Sequence, residues 1–155
     1  MNIDELNDVE SNRPVNLTMK ILNLIFLALL LGQFAFAAVI FFIHYSQELP
    51  GDKAIHLIMQ YAVPLVAVTS IGLTKILHDK IISSIGTNTG ITDKLSKYKT
   101  ASIIRLFGLE ASNIFTLVAY LLTGQTYYLY FFGIIIVLFL MAKPSRFKFH
   151  ELLGE

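Results

Sequence analysis

The sequence has no cysteine, and only 15% of its 155 residues are charged. The absence of cysteine excludes a secreted scaffold held together by disulfides. Soluble domains carry about 25% charged residues, so the shortage of charge excludes an ordinary soluble domain. Disordered chains and coiled coils depend on charge as well, and they are excluded with it. The net charge of only +1 argues against a nucleic-acid-binding protein.

Recognisable catalytic motifs are also missing from the sequence. It has no GxSxG nucleophile elbow, no Walker loop and no GxGxxG fingerprint. Its four histidines occur without cysteine and without an HExxH pattern, which argues against a metal centre, a haem or another cofactor. We therefore expect a protein that is not an enzyme and that carries no cofactor.

Hydrophobic residues are abundant instead, at 55% of the chain with a mean hydropathy of +0.64. They are concentrated in blocks, and about 20 apolar residues are enough to cross a bilayer as a helix. Pro64 lies inside the second block and should kink that helix rather than end it, because a neighbouring helix or a hydroxyl can satisfy the freed carbonyl. The predicted transmembrane spans are residues 21–43, 54–77, 100–122 and 125–142.

These spans predict an all-α fold, a bundle of four transmembrane helices built as two antiparallel hairpins. The last two spans are joined by Thr123-Gly124-Gln125, a connection so short that they must run antiparallel. The loop between spans two and three should extend both spans as helical stalks, and the C-terminal tail either lies on the membrane surface or binds a partner. The expected segments are a polar cytoplasmic tail at 1–18, a membrane domain at 19–142 with a cytoplasmic loop at 78–99, and a cytoplasmic tail at 143–155.

The distribution of basic residues predicts the orientation of the bundle. Lys and Arg near the ends of spans are retained on the cytoplasmic side of the membrane. Of the 12 Lys and Arg residues, all except Lys53 fall on the side that holds both termini and the 78–99 loop. We therefore expect a multi-pass inner-membrane protein with both termini in the cytoplasm.

A stripe of small residues follows one face of the third span. Small side chains let helix backbones approach closely, which is how helices associate in lipid. Arg105 lies on the same stripe near the cytoplasmic end, where its long side chain can reach the phosphates of lipid headgroups. The residues predicted to pack against another helix are Ala101, Gly108, Ser112, Thr116 and Ala119.

Glu110 is the residue most suggestive of a function. It lies roughly 15 Å from either interface, too deep for its short side chain to reach water. A carboxyl group at that depth must be protonated, paired or hydrated. We expect it to face a polar seam, defined as Gln33, Gln60, Ser70, Glu110 and Asn113. This seam either provides structural hydrogen bonds between helices or allows Glu110 to bind and release a proton or cation.

Two resemblances concern the last third of the chain. The stretch IIRLFGLEASNIFTLVAYLLTG, followed by a short hydrophobic span and Lys-Pro-Ser, resembles a group of small uncharacterised four-span bacterial integral membrane proteins. That resemblance implies no activity. The segment LEASNIFTLVAYLL is also similar to the carboxylate helix of rotary ATPase proteolipid subunits, which implies that Glu110 is the matching proton-carrying residue.

The sequence thus favours a structural or accessory subunit of a membrane assembly. Its partners would be the lipid bilayer and either further copies of the chain or other membrane subunits, with no nucleic acid. The alternative is a subunit that translocates protons or cations through Glu110.

Overall fold

The computed structural model describes residues 3–47, 53–86 and 90–145 together with 147 and 149, and omits the side chains of 3–13 and 47. These residues form four helices, α1 (Ile3–Gln47), α2 (Lys53–Ser83), α3 (Ile91–Thr123) and α4 (Tyr127–Met141). No strand occurs in the described ranges. The predicted all-α helical bundle is confirmed.

Three of the four helices extend beyond the predicted spans. α1 is already helical at Ile3, so the described part of the segment expected as a polar tail continues the first span as helix. Val15 in that segment and Met19 directly after it are 4% and 2% exposed, so both side chains are packed rather than solvated. α2 continues to Ser83 and α3 begins at Ile91, which agrees with the predicted helical stalks.

α1, α2 and α3 are each long and apolar enough to cross a membrane. Their wide apolar surfaces face outward, as expected for lipid contact, with Phe42, Leu65 and Val68 72%, 68% and 71% exposed. A soluble protein would bury most such side chains. Length, composition and exposure together fit a membrane protein.

α4 is shorter than its predicted span, with 15 residues and a length of about 22 Å. Its two ends nevertheless lie far apart along the bundle. Near its start, the hydroxyl oxygen of Tyr128 lies 3.2 Å from His56 Nδ1 in the first turns of α2. Beyond its end, the Ser145 carbonyl accepts a hydrogen bond of 3.3 Å from the Tyr98 hydroxyl, near the start of α3. The chain therefore returns along most of α3 by means of a short helix and a few further residues.

The bundle is organised around α3, since the three extensive helix–helix contacts are those of α3 with α1, α2 and α4. The core consists of three clusters stacked along this helix. One joins the first half of α1 to the start of α3 through Leu22 and Leu95, and the middle one places Leu106 against α4. The third surrounds Leu117 near the end of α3.

The turn between α3 and α4 depends on Gly124. This residue adopts a left-handed conformation with φ +65°, which glycine reaches without the penalty of a Cβ atom. Its N–H donates a 2.8 Å hydrogen bond to the Tyr120 carbonyl and so closes the last turn of α3. The predicted tight connection is present at this position. Pro64 lies inside an uninterrupted α2, as predicted for a proline in a membrane helix.

Candidate functional site

The contact of α3 with α2 depends on Gly108. A Cβ atom at this position would overlap the methyl carbon of Thr74, and it would also lie 3.2 Å from Thr74 Cβ. Thr74 cannot easily turn away, because its hydroxyl donates a 2.6 Å hydrogen bond to the Ser70 carbonyl. Glycine therefore sets the distance between the two helices, and the Gly108–Thr74 contact fixes how α2 and α3 align along their length.

The other residues of the small-residue stripe are buried on the same side of α3, and their hydroxyls are satisfied within the helix. Ser112 and Thr116 each donate to the carbonyl four residues earlier, at 3.1 Å and 2.8 Å. These bonds remove the cost of burying a hydroxyl without requiring a partner on α2. The stripe is a close-packing surface, and its buried members are Ala101, Ser112, Thr116, Ala119 and Thr123.

Gln33 and Asn113 form the polar contact between α1 and α3. Asn113 Nδ2 donates a 2.6 Å hydrogen bond to Gln33 Oε1, and both side chains are essentially inaccessible, at 0% and 1% exposure. The remaining amide atoms, Gln33 Nε2 and Asn113 Oδ1, have no hydrogen-bond partner within the described residues. The two side chains meet because α1 and α3 run parallel and each turns one face toward the other. On α1 this face repeats every seven residues, as one three-residue and one four-residue step, at Phe26, Gln33 and Ile40.

Glu110 does not join this pair. It lies about one turn before Asn113, at the margin of the contact between α1 and α3, and is partly exposed. Within the described part of the chain it makes no hydrogen bond and no ion pair. Its neighbours one turn to either side, Phe107 and Ile114, are 52% and 38% exposed. Glu110 therefore belongs to a largely uncovered apolar face of α3, which we call the Glu110 face and define as Phe107, Glu110, Ala111 and Ile114.

The other two members of the predicted seam, Gln60 and Ser70, lie on α2. Because α2 is antiparallel to α3 and meets it at Thr74 and Gly108, Gln60 lies well beyond the level of Glu110, near the α3–α4 turn. There it lines a cavity of about 350 Å³ with His56 and Gln125. Ser70 is engaged through its carbonyl with Thr74 on its own helix. Of the five residues of the predicted seam, the hydrogen bonds among the described residues join only Gln33 and Asn113.

Arg105 lies in a recess near the middle of α3. Two cavities, of about 170 and 180 Å³, share Arg105 and His78 in their walls. Lys75 lines the first cavity and Lys143 the second. The sequence places Arg105 near the membrane surface, but it does not reveal that three helices bring other cations to the same recess.

A further polar contact missed by sequence reasoning lies near the α3–α4 turn. His56 Nδ1 and the Tyr128 hydroxyl are 3.2 Å apart, and Tyr128 is fully buried. A buried tyrosine generally needs a partner for its hydroxyl, but the sequence separation of 72 residues hides which one it is.

No known protein family, curated protein or solved structure matches the chain. The two resemblances in the last third of the sequence therefore stay predictions. The function has to be inferred from the geometry of the bundle itself.

Proposed function

We propose that the protein is a multi-pass inner-membrane protein that acts as a structural or accessory subunit and meets another membrane helix through the Glu110 face. The observation that carries this proposal is the position of Glu110. Its carboxyl group lies in the middle of a span, is partly exposed, and has no partner within the described residues.

The energetic reason is the cost of an unsatisfied carboxyl group in hydrocarbon. Even in its neutral form, a polar group transferred from water into an apolar medium costs roughly 2–7 kcal/mol without a hydrogen bond. A partner helix that supplies a donor or an acceptor removes part of this cost. Hydrogen bonds between membrane helices contribute about 0.6 to 2 kcal/mol each. The apolar neighbours Phe107 and Ile114 would exclude lipid around the contact.

Photocrosslinking in native membranes tests this association without knowledge of the partner. A benzophenone amino acid at Phe107 should yield a discrete adduct, because this side chain lies beside Glu110 and is 52% exposed. The matched control is the same amino acid at Phe42, a residue on α1 that is 72% exposed. Adding Glu110→Leu should weaken the Phe107 adduct and leave the Phe42 background unchanged.

The size of the adduct distinguishes a second copy of the chain from a different subunit. The proposal is wrong if Phe107 and Phe42 give the same lipid-only products, or if Glu110→Leu leaves the adduct unchanged.

The alternative function, translocation of protons or cations through Glu110, has less support. Translocation needs a polar route to the carboxyl group. Four cavities among the described residues are lined by residues other than Glu110, including Gln60 near the α3–α4 turn and Arg105 near the middle of α3. If the alternative holds, Glu110→Gln should abolish a pH-dependent flux in proteoliposomes, whereas an accessory role predicts no such flux in the wild-type protein.

We further propose that all four helices cross the membrane and that both termini are cytoplasmic. The return of the chain to Tyr98 after α4 supports a fourth crossing, and the basic residues support the orientation. Single cysteines in this cysteine-free chain provide the test, using exposed positions near the helix ends. An impermeant thiol reagent should label Lys53→Cys and Gln125→Cys from one side, and Ser96→Cys and Lys143→Cys from the other. Labelling of Gln125→Cys and Lys143→Cys from the same side would show that α4 does not cross.

A further inference from the structure

The recess around Arg105 lies where α2, α3 and the end of α4 converge, away from the Glu110 face. Arg105 lines both of its cavities. Arg105 is partly buried and makes no hydrogen bond or ion pair with any described residue. A guanidinium group carries five N–H donors in a fixed planar geometry suited to phosphate. The recess therefore contains an unused anion-binding group.

The charges around the recess favour an anion. Three side chains with a fixed positive charge line the two cavities, Arg105, Lys75 and Lys143, against one carboxylate, Asp79. Asp79 points largely outward, with its side chain 62% exposed, and its Oδ1 lies 3.1 Å from His78 Nδ1. One oxygen of the Asp79 carboxylate is therefore already paired with His78. The balance of the charged groups that face the recess is positive, by three cations to one anion.

The deeper wall of the first cavity is apolar. It consists of Ile71, Leu109 and Leu138, and Leu109 lies about one turn further into the bundle than Arg105. Ile71 likewise lies about one turn deeper than Lys75. The recess is therefore cationic at the end nearer the predicted membrane surface and apolar toward the interior of the predicted spans, which is the order of groups along a phospholipid.

We propose that this recess is a binding site for an anionic phospholipid, with the phosphate held by Arg105, Lys75 and Lys143 and an acyl chain lying along the apolar wall. A free phosphate ion would use the cations and leave the apolar wall without a role. Basic recesses between membrane helices on the cytoplasmic side are where anionic headgroups bind. This site is separate from the Glu110 face, so its test is independent of the proposed function.

Native mass spectrometry of the delipidated full chain tests the proposal, with phosphatidylglycerol and phosphatidylcholine titrated separately. We expect the wild-type protein to bind the first phosphatidylglycerol about tenfold more tightly than phosphatidylcholine, a difference of about 1.4 kcal/mol. Arg105→Gln should lower the affinity for phosphatidylglycerol about tenfold and remove the preference.

Lys80→Gln is the matched control, since Lys80 is an exposed base on α2 that lines neither cavity. It removes the same charge and should leave lipid binding unchanged. Lys143→Gln covers the case in which Arg105→Gln does not fold, because Lys143 is exposed and follows the end of α4. This variant should also reduce the preference for phosphatidylglycerol.

The source of the phosphate is tested by adding inorganic phosphate and glycerol 3-phosphate at millimolar concentration. On the proposal, neither displaces phosphatidylglycerol. The proposal is overturned if these soluble anions bind and phosphatidylglycerol does not, if the two lipids bind equally to the wild type, or if Lys143→Gln and Lys80→Gln have the same effect.

Discussion

The two sides of α3 differ in the burial and hydrogen bonding of their polar side chains. On the covered side, Asn113 is completely buried and is bonded to Gln33, while Ser112 and Thr116 close their hydroxyls on the backbone. On the other side, Glu110 has no partner within the described residues and lies between exposed apolar side chains. One helix thus carries an interface that is formed within the chain and a face that the described residues leave largely uncovered.

The difference shows that depth in the membrane does not determine the role of a polar residue. Asn113 and Glu110 are about one turn apart and so lie at similar depths. What distinguishes them is their angle around the helix relative to α1. A polar group inside the contact specifies which helices pack together, whereas a polar group at its margin remains available to another molecule.

The largest effect should come from disturbing the covered side at its closest contact. Gly108→Ala should destabilise the protein by about 1–3 kcal/mol, because the added methyl group overlaps Thr74 in a packed interface. Thermal or denaturant unfolding in detergent, followed by circular dichroism, measures this change.

Gly72→Ala is the matched control for this prediction, since an added Cβ atom at Gly72 meets no atom within 4 Å. It should leave stability unchanged or raise it slightly, because alanine favours helix over glycine. Combining Gly108→Ala with Thr74→Ala should recover part of the loss. Equal stabilities for Gly108→Ala and Gly72→Ala would contradict the close contact.

An intermediate effect is expected from the amide pair. Asn113→Leu should cost about 1 kcal/mol, since hydrogen bonds between membrane helices average about 0.6 and reach about 1.7 kcal/mol, and since the substitution leaves the buried Gln33 amide unpaired. The free energies of unfolding of Gln33→Leu, Asn113→Leu and the double variant, each compared with the wild type, form a double-mutant cycle.

The double variant should lose less stability than the sum of the losses in the two single variants, because it leaves no unpaired amide. Asn23→Leu serves as the control, because Asn23 is exposed on α1. Additive losses in the cycle would show that the two amides do not depend on each other.

The smallest effect on the isolated chain should come from the uncovered side. Glu110→Leu should change unfolding stability by less than about 0.5 kcal/mol, because it removes no hydrogen bond within the described residues. The same substitution should reduce the Phe107 photoadduct in membranes. A loss comparable to that of Asn113→Leu in purified monomer would show that Glu110 stabilises its own chain.

The sequence largely predicts the covered side of α3. Small residues at helical spacing predict a packing face, and the structure buries Ala101, Ser112 and Ala119. The sequence does not predict the extent of the polar seam, because that extent depends on how far α2 is shifted along α3. That shift is set by the Gly108–Thr74 contact, and nothing in the sequence indicates that these two residues meet.

The lengths of the helices were only partly predictable, because hydropathy reports the segment that suits the membrane and not the end of the helix. α1 begins at Ile3 although its predicted span begins at residue 21. The recess around Arg105 was hidden for a different reason. It is assembled from three helices, and only their three-dimensional arrangement brings Lys75 and Lys143 to the same arginine.

The central position of α3 has a consequence for biosynthesis. α1 and α2 emerge from the ribosome first, yet they make only slight contact with each other, and their extensive contacts are both with α3. Until the third helix leaves the insertion machinery, the first two are joined by the short connection from Gln47 to Lys53, but few packing contacts fix how they align with each other. Assembly of this chain is therefore governed by the arrival of its third helix, and a pause in translation before that point leaves two helices without their common neighbour.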